Sequence, residues 1–203
     1  MEEIRLGEAT VSVFPAVRGL PSEGDAVKRA IDADKPDIVA LSVSEEELDA
    51  LRTYRGVKLE PDTTEDEVYM AGLSAWEEPV MPPPCFTQAA RIATARNLRL
   101  EAIDLSEEDY ADAYTKNVTT MELLLQGRME SRLLKRNFRV STPQAFALAW
   151  DAEVNRTAGF ARLQREREGH IAERLRELAQ GRSRVLAVIE VERVKGVLAA
   201  LRG

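Results

Sequence analysis

Residues 36–43, PDIVALSV, restrict the fold more than any other stretch. Ile38, Val39, Ala40 and Leu41 follow one another with no polar side chain left for a solvated face, so the segment reads as a short strand covered on both sides. Ser44 and Glu47 come directly after it in the spacing of a capping box, which starts a helix at once. A doubly covered strand that passes straight into a helix belongs to a parallel sheet with helices on its faces.

The same unit recurs along the chain. EATVSVFP (8–15) alternates and is rich in β-branched residues, which predicts a strand. SEGDAVKRAIDAD (22–34) follows as a helix, with Ser22 as its cap and Ala26, Ala30 and Ile31 at helical spacing. RLEAIDL (99–105) and RVLAVIEV (184–191) read as further strands. Helices are expected over 44–54, 85–98, 106–118 behind Ser106, and the closing RVKGVLAALRG. Residues 55–84 mix acids and prolines, and MPPP must be extended, so this stretch reads as a crossover loop holding at most a short strand, Val68 to Leu73. From 119 to 180 the pattern is helical, with Met121, Leu124, Leu125, Met129, Leu133 and Leu134 on a broad apolar stripe and Pro143 in the first turn of a later helix. The expected architecture is α/β: one domain over 1–203, its mostly parallel sheet flanked by helices, with a helical-hairpin insertion over 119–180 before the last strand.

Composition narrows the function classes. A hydrophobic fraction of 44% and a charged fraction of 31% over 203 residues are those of a folded globular chain. The net charge of -7 argues against a nucleic-acid binder and against adhesion to an anionic membrane. No apolar run approaches the roughly 20 residues that span a bilayer, and the acidic start MEEIRLGEAT lacks a secretory core, so a cytoplasmic location is the expectation. Cys85, the only cysteine, makes neither an internal disulfide nor a multi-cysteine zinc site.

The strand-to-helix junctions FPAVRGLPS, SVSEEE, IDLSEED and VEVERVK lack the glycines that let backbone amides approach a phosphate, so no standard nucleotide site is expected. No serine elbow is present. The single histidine, His170, shares a helix face with Glu166 and Glu173, a spacing that would suit a metal or general acid–base work. Arg165, Arg167, Arg174 and Arg176 surround it, so a solvated, ion-paired face is the favoured reading. Arg128, Arg132 and Arg136 fall at successive i+4 positions, and a charged outer face opposite the leucine stripe accounts for them as well as phosphate binding does. Ligands of open α/β sheets sit beyond the carboxyl ends of the strands, where Ser42, Asp104, Glu190 and Glu192 all lie.

The order of segments resembles the TraB/Tiki-like superfamily, α/β proteins related in fold to erythromycin esterases and ChaN-like haem-binding proteins. KPDIVALSVSEEELDAL is similar to that family's second strand and following helix, and PPCFTQAARIATARNLRLEAIDLSEEDY to its proline-led helix and the next strand. REREGHIAERLRELAQGRSRVLAVIEVERVKGVLAAL resembles its late Glu-Arg-Asp helix and final strand-turn. The resemblance implies metal-binding turns of the Gly-x-x-His or Gly-x-Gly-His kind after the first and last strands, plus a strand-end glutamate. Here Val17 and Arg193 stand in the histidine places, Ser42 stands for the glutamate, and Leu105 for an arginine. Asp104, the Glu166-Arg167-Glu168 segment and Gly196 are retained.

Valine offers no donor, and arginine does not deprotonate to bind a metal. The resemblance with these losses implies a non-catalytic relative, a pseudoenzyme needing no metal or cofactor, that serves as a binding or assembly module. The stripe over 119–134 offers a homodimer or protein-partner face, with packing onto the sheet as its plainer role. Two alternatives stay open. In one, Asp104, Glu190 and Glu192 hold a divalent cation in a rebuilt hydrolase site. In the other, Arg167 and Arg193 receive a small anionic ligand.

Overall fold

The computed structural model describes residues 1–61, 63–133, 136, 138–181 and 183–203, with the backbone alone at 128 and 130–132. Its elements in chain order are β1 (Glu2–Leu6), β2 (Ala9–Ala16), α1 (Pro21–Asp34), β3 (Ile38–Leu41), α2 (Glu45–Thr53), α3 (Thr64–Leu73), α4 (Pro84–Ala95), β4 (Arg99–Ala102), α5 (Glu107–Asn117), α6 (Thr120–Leu133), α7 (Pro143–Val154), α8 (Ala158–Leu178), β5 (Arg184–Glu190) and α9 (Val191–Arg202). The strands lie in the order β1-β2-β5-β3-β4, with β1 antiparallel to β2 and every other pairing parallel. This is the expected α/β arrangement, with one antiparallel edge strand added.

Alternation along the inner strands divides the core in two. Val185, Ala187 and Ile189 of β5 join Ile38 and Ala40 of β3 under α8 and α9, where Ile171, Leu175, Val197 and Leu201 meet them. Leu186 and Val188 join Val39 and Leu41 on the other face, under Val27 and Ile31 of α1 and Phe86 and Ala89 of α4. Each side chain of PDIVALSV from Ile38 to Leu41 is buried, as a strand covered on both faces requires. Since the helices after β2 and β3 turn to one face and α9 after β5 to the other, a crevice opens over the carboxyl end of β5.

Local signals explain most helix starts. Ser44 accepts from the amide of Glu47 at 3.1 Å while Glu47 accepts from the amide of Ser44 at 2.9 Å, a complete capping box. Ser106 accepts from the Asp109 amide, and Thr142 from the Ala145 amide with Pro143 behind it. Ser22 is not a cap: Pro21 opens α1 with Leu20 before it, and Ser22 instead donates to Glu77.

Two further expectations are corrected, and one strand is added. Residues 68–73 are helix, not strand, because Thr63 accepts from the Asp66 amide at 3.1 Å and three acids fill the first turn of α3. The acidic N-terminus forms β1, an edge strand whose exposed Glu3 and Arg5 alternate with partly buried neighbours. Such an edge needs only one covered face, so its charge does not forbid pairing. The apolar stripe of α6 is split. Met129 and Leu133 enter a cluster with Tyr69, Leu73, Phe146 and Trp150 above the carboxyl edge, whereas Met121 and Leu124 are 66% and 61% exposed and Leu125 is exposed as well. Leu134 lies outside the described residues, as do the side chains of Arg128 and Arg132.

Candidate functional site at the carboxyl edge of the sheet

Every parallel strand delivers a polar group to the crevice just as it ends. Arg18 lies two residues beyond β2, Ser42 one beyond β3, and Asp104 two beyond β4. Glu190 ends β5, and Glu192 and Arg193 occupy the first turn of α9. All six line one cleft of about 810 Å³, to which α8 adds Arg167 and α7 adds Asp151. The candidate residues Ser42, Asp104, Arg167, Glu190, Glu192 and Arg193 are therefore brought together, although they span nearly the whole chain.

Most of these groups answer one another. The Ser42 hydroxyl accepts from the Glu190 amide at 3.1 Å, tying the end of β3 to the end of β5. Arg167 grips Asp104 with two nitrogens, Nε at 3.2 Å from Oδ1 and Nη2 on Oδ2. Its Nη1 donates to Gln164 at 3.1 Å, and Nη2 lies 3.7 Å from Glu190. Arg193, 3% exposed, donates through Nη1 to Glu168 at 3.1 Å and through Nη2 to Asp151. Bidentate and paired guanidinium geometry of this kind satisfies arginines that burial would otherwise destabilise.

The electrostatics are uneven. Burial works to raise the Glu190 carboxyl, but Arg18, Arg167 and Arg193 together hold it below the usual carboxylate range. Burial works to lower the guanidiniums of Arg18 and Arg167, but Glu190 and Glu192 raise the first and Asp104 and Glu190 the second. Glu192 fares differently: burial, with Glu190 nearby, pushes it up to about 7 despite Arg18. Its Oε2 is shielded from solvent and has no hydrogen-bond partner. Burial also raises Glu47, with Glu190 and Asp104 adding to the effect, and raises Asp151 against the pull of Arg193. Arg18 lies 3.2 Å from Glu190 through Nε, a charge contact without the alignment of a hydrogen bond, and its guanidinium sits over the Tyr69 ring at 5.1 Å. The Tyr69 hydroxyl is buried and also lacks a partner.

These positions bear directly on metal chemistry. Asp104, Glu190 and Glu192 share the cleft, yet Arg167 is interposed between the first two and Arg18 faces the other pair. Among the described residues no group of three or more His, Cys, Asp or Glu is arranged to hold an ion. Val17, in the place the resemblance gives to a histidine, is fully buried among Leu20, Tyr69 and Leu73. Among the described residues the cleft lining holds no imidazole, and its three candidate carboxylates each lie near an arginine. His170 draws no such cluster either, and its neighbour Glu166 accepts from Lys116 at 2.9 Å and Asn117 at 2.8 Å on the helix surface. Arg136, the described member of the arginine line, pairs with Glu153 at 2.7 Å.

No family model matches the chain, and comparison with curated proteins returns no match.

Sequence reasoning misses Arg18, Glu47, Tyr69, Asp151 and the inward course of Glu168. Arg18 carried a signal, being a cation directly after a predicted strand. Asp151 carried another, as an acid between Trp150 and Val154 on an otherwise apolar helix face. Glu168 was noted only as part of the retained Glu166-Arg167-Glu168 segment, and its inward course had no signal of its own, since Glu recurs throughout α8. Among the described residues no helix is long and apolar enough to cross a membrane.

Proposed function

We propose that the chain is a TraB/Tiki-like α/β protein that has given up metal chemistry and works as a binding or assembly module. On this reading residues 119–180 are a helical insertion before the last strand, its α6–α7 hairpin standing over the carboxyl edge. The observation that carries the reading is Arg193: at the position where the family would hold a histidine ligand, a buried guanidinium is locked between Asp151 and Glu168. Ser42, in the place of the strand-end glutamate, is engaged by the Glu190 amide. The metal-hydrolase alternative needs carboxylates that these arginines already neutralise. The anion-receptor alternative needs Arg167 and Arg193 to be available, and both are occupied by internal acids.

Metal analysis of the purified protein, followed by thermal titration with Mg2+, Mn2+ and Zn2+, tests the reading. It expects no stoichiometric metal and no shift in Tm. Stoichiometric metal that is lost in an Asp104→Asn, Glu192→Gln double variant would sink it.

An assembly role has its own support in the exposed apolar face of α6, where Met121, Leu123, Leu124 and Leu125 meet solvent. Leu124→Glu is the variant to use, because Leu133 is buried and its loss would disturb packing. A dimer mass in solution for the native chain that falls to the monomer mass in Leu124→Glu is the expected outcome.

A further inference from the structure

We propose that β1 is a self-pairing edge: two copies of this chain join antiparallel through Glu2–Leu6, centred on Ile4, so that one sheet runs across both. The inference rests on the assembly reading above and gives it a second face. β1 closes one side of the sheet with β2 as its neighbour, and among the described residues no backbone bond from outside the ladder reaches it. Such an edge carries a row of open N–H and C=O groups, a template for another strand.

The turn after β1 determines which groups are open. Leu6 and Ala9 flank a two-residue loop whose first residue, Gly7, has a φ of 63°. They are the closing pair of that turn and exchange backbone hydrogen bonds, and by alternation Ile4 and Glu2 also bond toward β2. The amides and carbonyls of Glu3 and Arg5 therefore point to the free edge. A second copy running antiparallel engages both residues when Glu3 stands opposite Arg5, Ile4 opposite Ile4, and Arg5 opposite Glu3.

The side chains select the same register. Glu3 and Arg5 are exposed on one face of β1, and among the described residues neither is held in an ion pair. Centred on Ile4, the carboxylate of each copy meets the guanidinium of the other, and symmetry repeats the pair. Centring on Glu3 or on Arg5 sets like charges opposite each other, which is unfavourable. An edge guarded by charges of one sign repels its copy in every register, whereas opposite charges two positions apart make this edge complementary to itself. On the other face Ile4, which packs against the core under α8 and α9, meets its own copy at the closest cross-strand spacing. The apolar layer then continues across the join.

The test is sedimentation equilibrium of the full chain carrying Leu124→Glu, which leaves β1 as the contact measured. The join is short, so the dimer is expected to form only toward concentrations of about 0.1–1 mM. In that background Arg5→Glu is expected to weaken association at least about tenfold, and adding Glu3→Arg, which exchanges the charges, should restore it to within about threefold. Mixing the Arg5→Glu chain with a Glu3→Arg chain is expected to give a mixed dimer tighter than either forms alone. Glu3, Arg5 and Leu124 are all exposed, so these substitutions leave the core untouched. A mass that stays monomeric up to about 1 mM overturns the proposal. So does Arg5→Glu that associates like its parent, a charge exchange that recovers nothing, or mixed chains that show no preference for each other. The α6 face is judged separately, by whether Leu124→Glu lowers the mass of the native chain at low concentration.

Discussion

β5 and the turn after it are consecutive in sequence and both sit largely out of solvent, but they are stabilised in different ways. From Val185 to Ile189 every side chain is apolar and fully enclosed, and its only requirement is a well-fitting neighbour. From Glu190 to Arg193 the chain buries an acid and a guanidinium, each of which needs a partner of opposite charge, with Glu192 half-buried between them. The partners lie on α7, α8 and the loops after β2 and β4, far away in sequence. An apolar strand tolerates repacking, whereas a buried charge network fails when one member is removed.

Removing Arg193 gives the sharpest contrast. Arg193→Met leaves Asp151 and Glu168 partly buried without their counter-charge, and is expected to cost about 3–5 kcal/mol in urea unfolding. Adding Asp151→Leu and Glu168→Met to the same chain should recover most of that loss, since an apolar replacement of a whole network is often close to neutral. Leu186→Ala in the neighbouring strand is expected to cost about 2–4 kcal/mol, with no second change able to restore it simply by removing a partner. Recovery in the second case and not in the first would reverse the distinction between the two regions.

The difference also explains what the sequence reveals. The sheet was legible because β3 and β5 carry their evidence locally, as runs of apolar residues with a cap or a turn at the end. α3 was misread because proline and acid dominate its surroundings, while the cap that starts it, Thr63 on the Asp66 amide, is a single local bond. β1 was missed because an edge strand needs only one covered face. At the site, the strand-end positions of Ser42, Asp104, Glu190 and Glu192 were legible from topology alone. What they do was not legible, because it depends on which arginine reaches which acid. Arg167 and Arg193 stand out as candidate anion receptors in sequence, yet in the fold they answer Asp104, Asp151 and Glu168.

Glu192 probes the weakest point of the charged region. Its folded-state value of about 7 lies above the ordinary 4.5, so the protonated form is favoured by folding. The stability it contributes is complete below about pH 4.5 and is lost as pH rises through about 7. Arg18 from the loop after β2, Glu190 from β5, Asp151 from α7 and Tyr69 from α3 all act on this carboxyl or are acted on by it. Glu192→Gln removes the penalty. Relative to the native chain it should be near neutral at about pH 5 and more stable by roughly 2 kcal/mol at about pH 8. A gain that is the same at both values would mean that the side chain acts through packing and not through its charge.

The smallest expected effect tests how closely the charged region is built. Gly196 in α9 faces Glu168, whose Oε2 would lie 2.0 Å from an added Cβ and whose Oε1 would lie 2.6 Å away. Alanine is favoured over glycine within a helix by about 1 kcal/mol. Gly196→Ala therefore sets a helical gain against displacement of the Glu168 carboxylate from Arg193, where it now accepts at 3.1 Å. If the network is as exacting as its burial implies, the two effects nearly cancel and the net change stays below about 0.5 kcal/mol. Combining Gly196→Ala with Glu168→Ala removes the clash, and the glycine replacement measured in that background should then show the helical gain alone. A glycine replacement that stabilises the native background by the full helical amount would show that Glu168 moves aside freely, and that Arg193 is held by Asp151 without it.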